Sequence, residues 1–355
     1  IDELNAMRQV LTATYRLSNT LDLAATVVWD YGRGWTPIGA SGAQFTGSFD
    51  GGEHIIRNLH INRPATSYQG LFGYAGAGSV LHNIRLQDVN IQGGQYSGGL
   101  AGRAHGVIED VSVTGTVLSS SSDAGGLIGH ASSATLHRVS AAVTVQGANR
   151  TGGLVGYLSL SEMRHAYATG TVEGTNQVGG LVGYVYYSGE IVSDSYSRAS
   201  VSGADEVGGL VGYLYSGSVY RSYSTGAVSG TGETTGGLIG RNNARPVSDS
   251  YWDTQTSGQE ESAGGAGRTT VEMQQQATYR HYNFITLWAI DAGNDYPVFQ
   301  DLSQYTLPQA VDLATLEGSG TADDPYLVTT IDELNAMRQV LTATYRLSNT
   351  LDLAA

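Results

Sequence analysis

The sequence contains no cysteine and no lysine: all 18 basic residues are arginine, and its 355 residues include only 6 prolines and 14% charged side chains. Without cysteine there are no disulfides and no thiolate metal sites. Without lysine, Schiff-base chemistry, a phosphate-loop lysine and lysine isopeptide crosslinks are excluded. A formal net charge of -14 leaves no basic surface to follow a phosphate backbone, so no nucleic acid partner is expected. No apolar run approaches about 18 residues, and no membrane insertion is expected. The chain opens at Ile1 with neither an initiator methionine nor a signal peptide, and the expectation is a window on a longer polypeptide. What is abundant is glycine, at 49 residues, together with serine, threonine and tyrosine. That composition points to a turn-rich, strand-rich protein. It suits the outside of a cell, and an extracellular or bacterial cell-surface location is expected.

Residues 1 to 25, IDELNAMRQVLTATYRLSNTLDLAA, recur unchanged at residues 331 to 355. A module of 330 residues repeated in series is the expectation, the second copy being the start of the next identical module. A shorter repeat runs inside it. GGLVGY stands at 152, 179 and 208, with QGLFGY at 69, GGLAGR at 98, GGLIGH at 125 and GGLIGR at 236. The leucines Leu71, Leu100, Leu127, Leu154, Leu181, Leu210 and Leu238 are 29, 27, 27, 27, 29 and 28 residues apart. Two further columns keep the step: Ile84, Val111, Val139, Tyr167, Tyr196, Tyr223, Tyr251, and Ile91, Val117, Val145, Val172, Val201, Val228, Thr256.

Each unit thus reads as three short strands separated by glycine and polar turns, too short and too broken for helices. One such unit cannot cover its apolar side chains, whereas stacked units can. The fold class expected is all-β, a parallel β-solenoid with three short strands per rung of about 28 residues, right-handed, with short helical caps at both ends. The glycine pair before each leucine is read as a corner with little room for a Cβ, or one needing positive φ. The expected organisation is an N-terminal cap at 1–28, entry rungs at 29–70, the repeat solenoid at 71–258, a C-terminal cap at 259–301, a linker at 302–330 and the next module from 331.

The GGLVGY core followed by SYS and VSG resembles the GLUG-motif repeats of bacterial surface and secreted adhesin-like proteins. TPIG, FTGSFDGGEHIIRNLHI, YWDTQTSGQ, GGAGRTT and WAIDAGNDYP resemble the usual flanks of such arrays. The resemblance implies a β-solenoid, an extracellular location and a structural or adhesive duty. It brings no catalytic residues with it.

Open solenoid ends expose strand edges unless covered. At the second copy Thr330 and Glu333 form a candidate capping box, and Ile331, Leu334, Met337 and Leu341 fall on one helix face, making a candidate module-joining cap. Tyr345, Leu347, Leu351 and Leu353 then read as strand. Thr269 and Glu272 make a second candidate box, and Phe284, Trp288, Ile290 and Phe299 a candidate end plug.

Chemistry is sparse. His82, Glu109, His137, His165, Asp194, Arg221 and Asp249 keep the rung spacing and read as a charged ladder; the sharper alternative is a catalytic strip acting on polysaccharide, whose activity would be lost on changing Glu109 or Asp194. Tyr157, Tyr184 and Tyr213, in a row with Tyr74, Arg103, His130 and Arg241, form a face for glycan or for packing. Asp291, Asn294 and Asp295, and also Asp323 and Asp324, offer oxygen ligands that suit calcium, against a plainer reading as turn residues. No other cofactor is expected. The leading expectation is a structural or adhesive module, not an enzyme, whose partners are neighbouring identical modules or copies of itself, and cell-surface or matrix polysaccharide. A glycan-binding adhesin and a polysaccharide-active β-helix enzyme stand as alternatives.

Overall fold

The computed structural model describes residues 1–52, 54–186, 191–300, 319, 321–328 and 344–347. They divide into two units, Ile1–Val298 and Phe299–Ala355. The first is a parallel β-solenoid. One column of strands climbs through nine levels, from Thr14–Arg16 through Ser48–Asp50 and the segments at Val80, Val107, Thr135, Glu162, Ile191 and Ser218 to Val247–Ser248, every step parallel. In the middle of the stack the three expected segments run together. Ala101–Ser119 and Ile128–Gln146 are each continuous through almost a whole rung. A separate short strand ends on the first glycine of each pair, and these strands build their own six-stranded sheet from Ser97–Gly98 to Thr235–Gly236.

Stacking decides which residues are buried. All seven motif leucines are fully buried, and the five from Leu100 to Leu210 each donate the backbone N–H to the leucine carbonyl one rung on, as from Leu154 to Leu181 at 3.0 Å. Ile91, Val117, Val145, Val172, Val201 and Val228 are in direct register, and the column reaches back to Ile61. It stops where the coil does, because Thr256 lies in the helix Thr254–Ser257.

The remaining expected column splits. Ile84, Val111 and Val139 are in register and buried, but Val139 pairs with Ala166, and Tyr167 pairs with Ser140. The step from Val139 to Tyr167 is one residue longer than the local register, and a slip of one residue in a strand carries a side chain to the opposite face. Tyr167, Tyr196, Tyr223 and Tyr251 therefore stack on the outside of the coil, with ring centroids 5.0 Å apart at 4° for the first pair and 5.1 Å at 3° for the second.

The corners are crowded, as expected, but no glycine of the GG pairs has positive φ; they are there because backbone crowds them. A Cβ on Gly180 would come within 2.2 Å of the Gly209 carbonyl oxygen in the next rung. The left-handed positions are held by polar and aromatic residues. One corner is Tyr68, Tyr96, Asp123, Arg150, Gln177 and Glu206, and another is Asn83, Asp110, Arg138, His165, Asp194, Arg221 and Asp249, with φ between 43° and 64°.

At the start, a short helix Asp2–Ala6 and a 3-10 turn Met7–Gln9 bury Leu4 and Met7 in the solenoid core, with Ile1 and Leu11 packed against it. Their counterparts Ile331, Leu334, Met337 and Leu341 lie outside the described residues, as do Thr330 and Glu333. At the far end Trp252 takes the place that Ser224 holds one rung earlier and covers Gly237. The capping box at Thr269 and Glu272 is present and starts the helix Thr270–Met273. The segment beyond it does not plug the coil's end. It packs along the flank, with Trp288 fully buried at 6.0 Å from Tyr196 and 6.1 Å from Tyr223. In the second unit, Tyr326–Val328 and Tyr345–Leu347 form a parallel pair.

Candidate functional site

The strand that follows each glycine pair sends its tyrosine position outward, because the neighbouring Val or Ile and the Leu point in. In-register stacking then makes a strip of Tyr74, Arg103, His130, Tyr157, Tyr184, Tyr213 and Arg241, each paired with the next. The row expected from the spacing is therefore a physical row. Tyr157 and Tyr184 lie 5.3 Å apart, as do Tyr184 and Tyr213, and His130 stacks on Tyr157 at 4.3 Å. The left-handed corner runs beside it and supplies cations to ring faces: Arg150 lies over Tyr157 at 4.9 Å, and within the strip Arg241 lies over Tyr213 at 4.7 Å. Tyr74, His130 and Tyr213 are buried in the strip, and Tyr157 and Tyr184 are half-buried. Tyr184 is held well above the ordinary tyrosine range by burial and by its tyrosine neighbours, so its hydroxyl stays protonated. Tyr186 and Tyr215 form a second short row, 5.1 Å apart, and Tyr215 is 39% exposed.

Where the strip meets that corner sits a buried polar cluster that the spacing alone did not reveal. Asp123, almost without solvent contact, has Arg150 Nε 2.5 Å from its Oδ1 and His130 Nδ1 4.0 Å from its Oδ2. Burial raises the Asp123 carboxyl to about 6 against the pull of Arg150, and burial lowers His130 to about 3. Next to it Asn149, Asn176 and Asp205 stack in register and, with Arg150, Gln177 and Glu206, line a polar groove.

The charged ladder consists of two adjacent rows, not one. His82, Glu109 and His137 pair along a strand, while His165, Asp194, Arg221 and Asp249 occupy the left-handed corner one residue on. His137 bridges the rows, with Nδ1 3.0 Å from Glu109 Oε1 and Nε2 2.9 Å from His165 Nδ1. His137, and then Arg138, hold the Glu109 carboxyl below its usual range. Arg138 also grips Asp110 through two bonds of 2.6 and 2.7 Å, and Arg221 grips Asp194 the same way at 2.7 and 2.6 Å. The two carboxylates with a candidate catalytic role are thus each engaged by a partner from the next rung.

The candidate calcium residues are engaged locally. Asn294 donates to Asp291 Oδ1 at 3.0 Å, and Asp295 faces Arg198 at 3.2 Å. Asp324 closes a turn, its backbone N–H donating to Thr321 Oγ1 at 3.2 Å and its carbonyl accepting from Ser319 and Thr321; Asp323 lies in the same turn. Among the described residues no three acidic or histidine side chains are grouped to hold a metal ion.

The GLUG motif falls at residues 93–118, 147–173 and 203–229, each span running from the end of one rung through its glycine corner. The chain carries GLUG-motif repeats. Halomucin of Haloquadratum walsbyi is 38% identical to this GLUG solenoid over 113 residues, 30% of the chain and 1% of halomucin. A protein of Evansella cellulosilytica, provisionally named a Gly-rich membrane protein, is 33% identical over 114 residues, 31% of the chain and 13% of that protein. The chain therefore matches a small part of each relative's length. Among solved structures, a Bacteroides ovatus protein assigned provisionally as an immunoglobulin A1 protease superposes with a TM-score of 0.55 over 84% of this chain and 90% of its own, at 18% identity. At that identity the likeness concerns the fold. No described helix is long and apolar enough to cross a membrane.

Proposed function

We propose that the GLUG solenoid is a structural, adhesive-type module of an extracellular surface protein, repeated in series to make a long fibre. The observation that carries this reading is the fate of the polar side chains. Glu109 pairs with Arg138 and Asp194 with Arg221 from rung to rung, which ties neighbouring rungs together and engages both candidate catalytic carboxylates. The exact 25-residue recurrence supports serial repetition, and the surface-type names of the two relatives support an extracellular place. On this reading the function is geometric. Rungs give length at about 4.8 Å each, and the acidic surface limits lateral clumping. The test is electron microscopy of a polypeptide carrying several copies in series. Straight rods with a repeat of one module are expected; isolated compact particles on slack tethers would overturn the proposal.

A second reading, glycan binding, is favoured by one observation: the aromatic row of Tyr186 and Tyr215 and the polar groove of Asn149, Asn176 and Asp205 flank the Tyr157, Tyr184, Tyr213 strip. Saturable binding on a glycan array that is lost in Tyr184→Ala and Tyr215→Ala would establish it, and an empty array would leave the strip as packing.

A further inference from the structure

Among the described residues the first strand of the solenoid has one partner, Ser48–Asp50, on one of its two edges. Ser48 donates its N–H to the Ala13 carbonyl at 3.2 Å, and Leu17 donates to Asp50 at 2.8 Å. Residues 13 and 17 thus face the rung above. Backbone groups alternate between edges along a strand, so Thr14 and Arg16 face the other way, toward the open end of the coil. Beside that edge lies a groove lined by Ile1, Leu4, Met7, Tyr15, Leu17 and Leu21. Tyr15 and Leu21 are only partly buried there, although both touch the core.

The same residues occur a second time, and there the second edge is filled. Thr344, Tyr345 and Arg346 are the counterparts of Thr14, Tyr15 and Arg16 in the exact repeat. Tyr326, Leu327 and Val328 pair with Tyr345's strand in parallel, residue for residue. The Tyr326 N–H donates to the Thr344 carbonyl at 2.9 Å, the group that alternation assigns to the outer edge. The Tyr326 ring lies 5.7 Å from Tyr345, and Val328 is buried. The two copies display the two halves of one ladder. Residues 13 and 17 bond upward in the first, and residue 344 bonds downward in the second.

We propose that the Thr14–Arg16 edge is completed by a Pro325–Val328 segment from the preceding copy in the same polypeptide, so that the tail of one module is the first strand of the next. Backbone pairing fixes the register, and an incoming Tyr326 stacks on Tyr15, which already lies 6.4 Å from Phe45, with Phe72 a further 5.0 Å on. The stretch before the helix thereby belongs to the folded coil, and the connector between modules shortens to the residues ahead of Ser319. The proposal rests on the serial-module reading for the source of the strand alone.

The test compares the full chain with the same chain carrying residues 319 to 330 placed ahead of Ile1. Hydrogen exchange at the Arg16 amide should slow at least tenfold in the extended chain, and its melting temperature should rise by several degrees. An extension bearing Val328→Asp should give neither effect. Unchanged exchange at Arg16, or equal gains from both extensions, would overturn the proposal. So would slowed exchange in the unextended chain that grows with protein concentration, since the strand would then come from a separate molecule. Rods seen for a serial polypeptide without protection at Arg16 would sink the joint and leave the structural role standing.

Discussion

Asp123 and His130 are neighbours in the buried cluster, and burial moves their protons in opposite directions. Asp123 is raised from 3.8 to about 6 in the folded chain. Between those values the folded state binds more protons than the unfolded one, so the Asp123 contribution to stability falls as pH rises. His130 is lowered from 6.5 to about 3. Here the folded state binds fewer protons, and the contribution is lost as pH falls from about 6.5 toward 3. Between roughly pH 4 and 6 folding puts a proton on one group and takes one from the other, and the two slopes offset. Removing either partner should expose the other. Relative to the parent chain, Asp123→Asn should lose melting temperature as pH is lowered from 7 to 4, and His130→Phe, which keeps a ring against Tyr157, should gain it. Differential scanning fluorimetry across that range decides the matter. Two profiles parallel to the parent's would show that the pair is not titrating as described.

At the scale of elements, the C-terminal flank owes its position to the outward tyrosine stack. Trp288 is fully buried against Tyr196, Tyr223 and Tyr282, and Arg198 reaches across to Asp295 and to the Tyr296 carbonyl, which accepts at 3.0 Å. Trp288→Ala should cost about 3–5 kcal/mol of local stability and release the residues around it without unwinding the rungs, because Trp288 is not part of the buried cluster that the leucine column builds. Limited proteolysis should then cut between residues 259 and 297 while the far-ultraviolet strand signal persists; a protease-resistant variant would refute the assignment. None of this docking was legible in the sequence, since Arg198 and Asp295 are 97 residues apart and share no repeat. The leucine column was legible, and so was the Ile91 column as far as Val228, because identical corners force identical registers. The aromatic strip was legible for the same reason. The column through Val139 was misread at a single place, where a spacing of 28 crosses a local register of 27. The left-handed corners were hidden altogether, because Asp123, Arg150 and His165 adopt there a conformation for which glycine is the usual signal.

For the whole molecule, a solenoid's stability is approximately a sum over rungs and the interfaces between neighbours. Its length should therefore be adjustable in units of one rung and in no other unit. Val155 pairs with Val182, and the residues before them read GGL in both cases. Excising residues 155 to 181 joins Leu154 to Val182 and recreates the same corner, with the 128–154 rung meeting the partner that its successor had met. Tyr184 inherits the contact with His130, and Val192 that with Leu136, in place of Met163. The 27-residue deletion should fold, melt cooperatively within a few degrees of the parent, and shorten the coil by about 4.8 Å in small-angle scattering. Deleting one residue more or fewer should turn every side chain between the cut and the next corner to the wrong face, placing outward Tyr184 inside and inward Val182 and Val185 outside. Such variants should lose the cooperative transition. If the 27-residue deletion collapses while its neighbours fold, the rungs are not interchangeable units, and a fibre extended by adding them loses its physical basis.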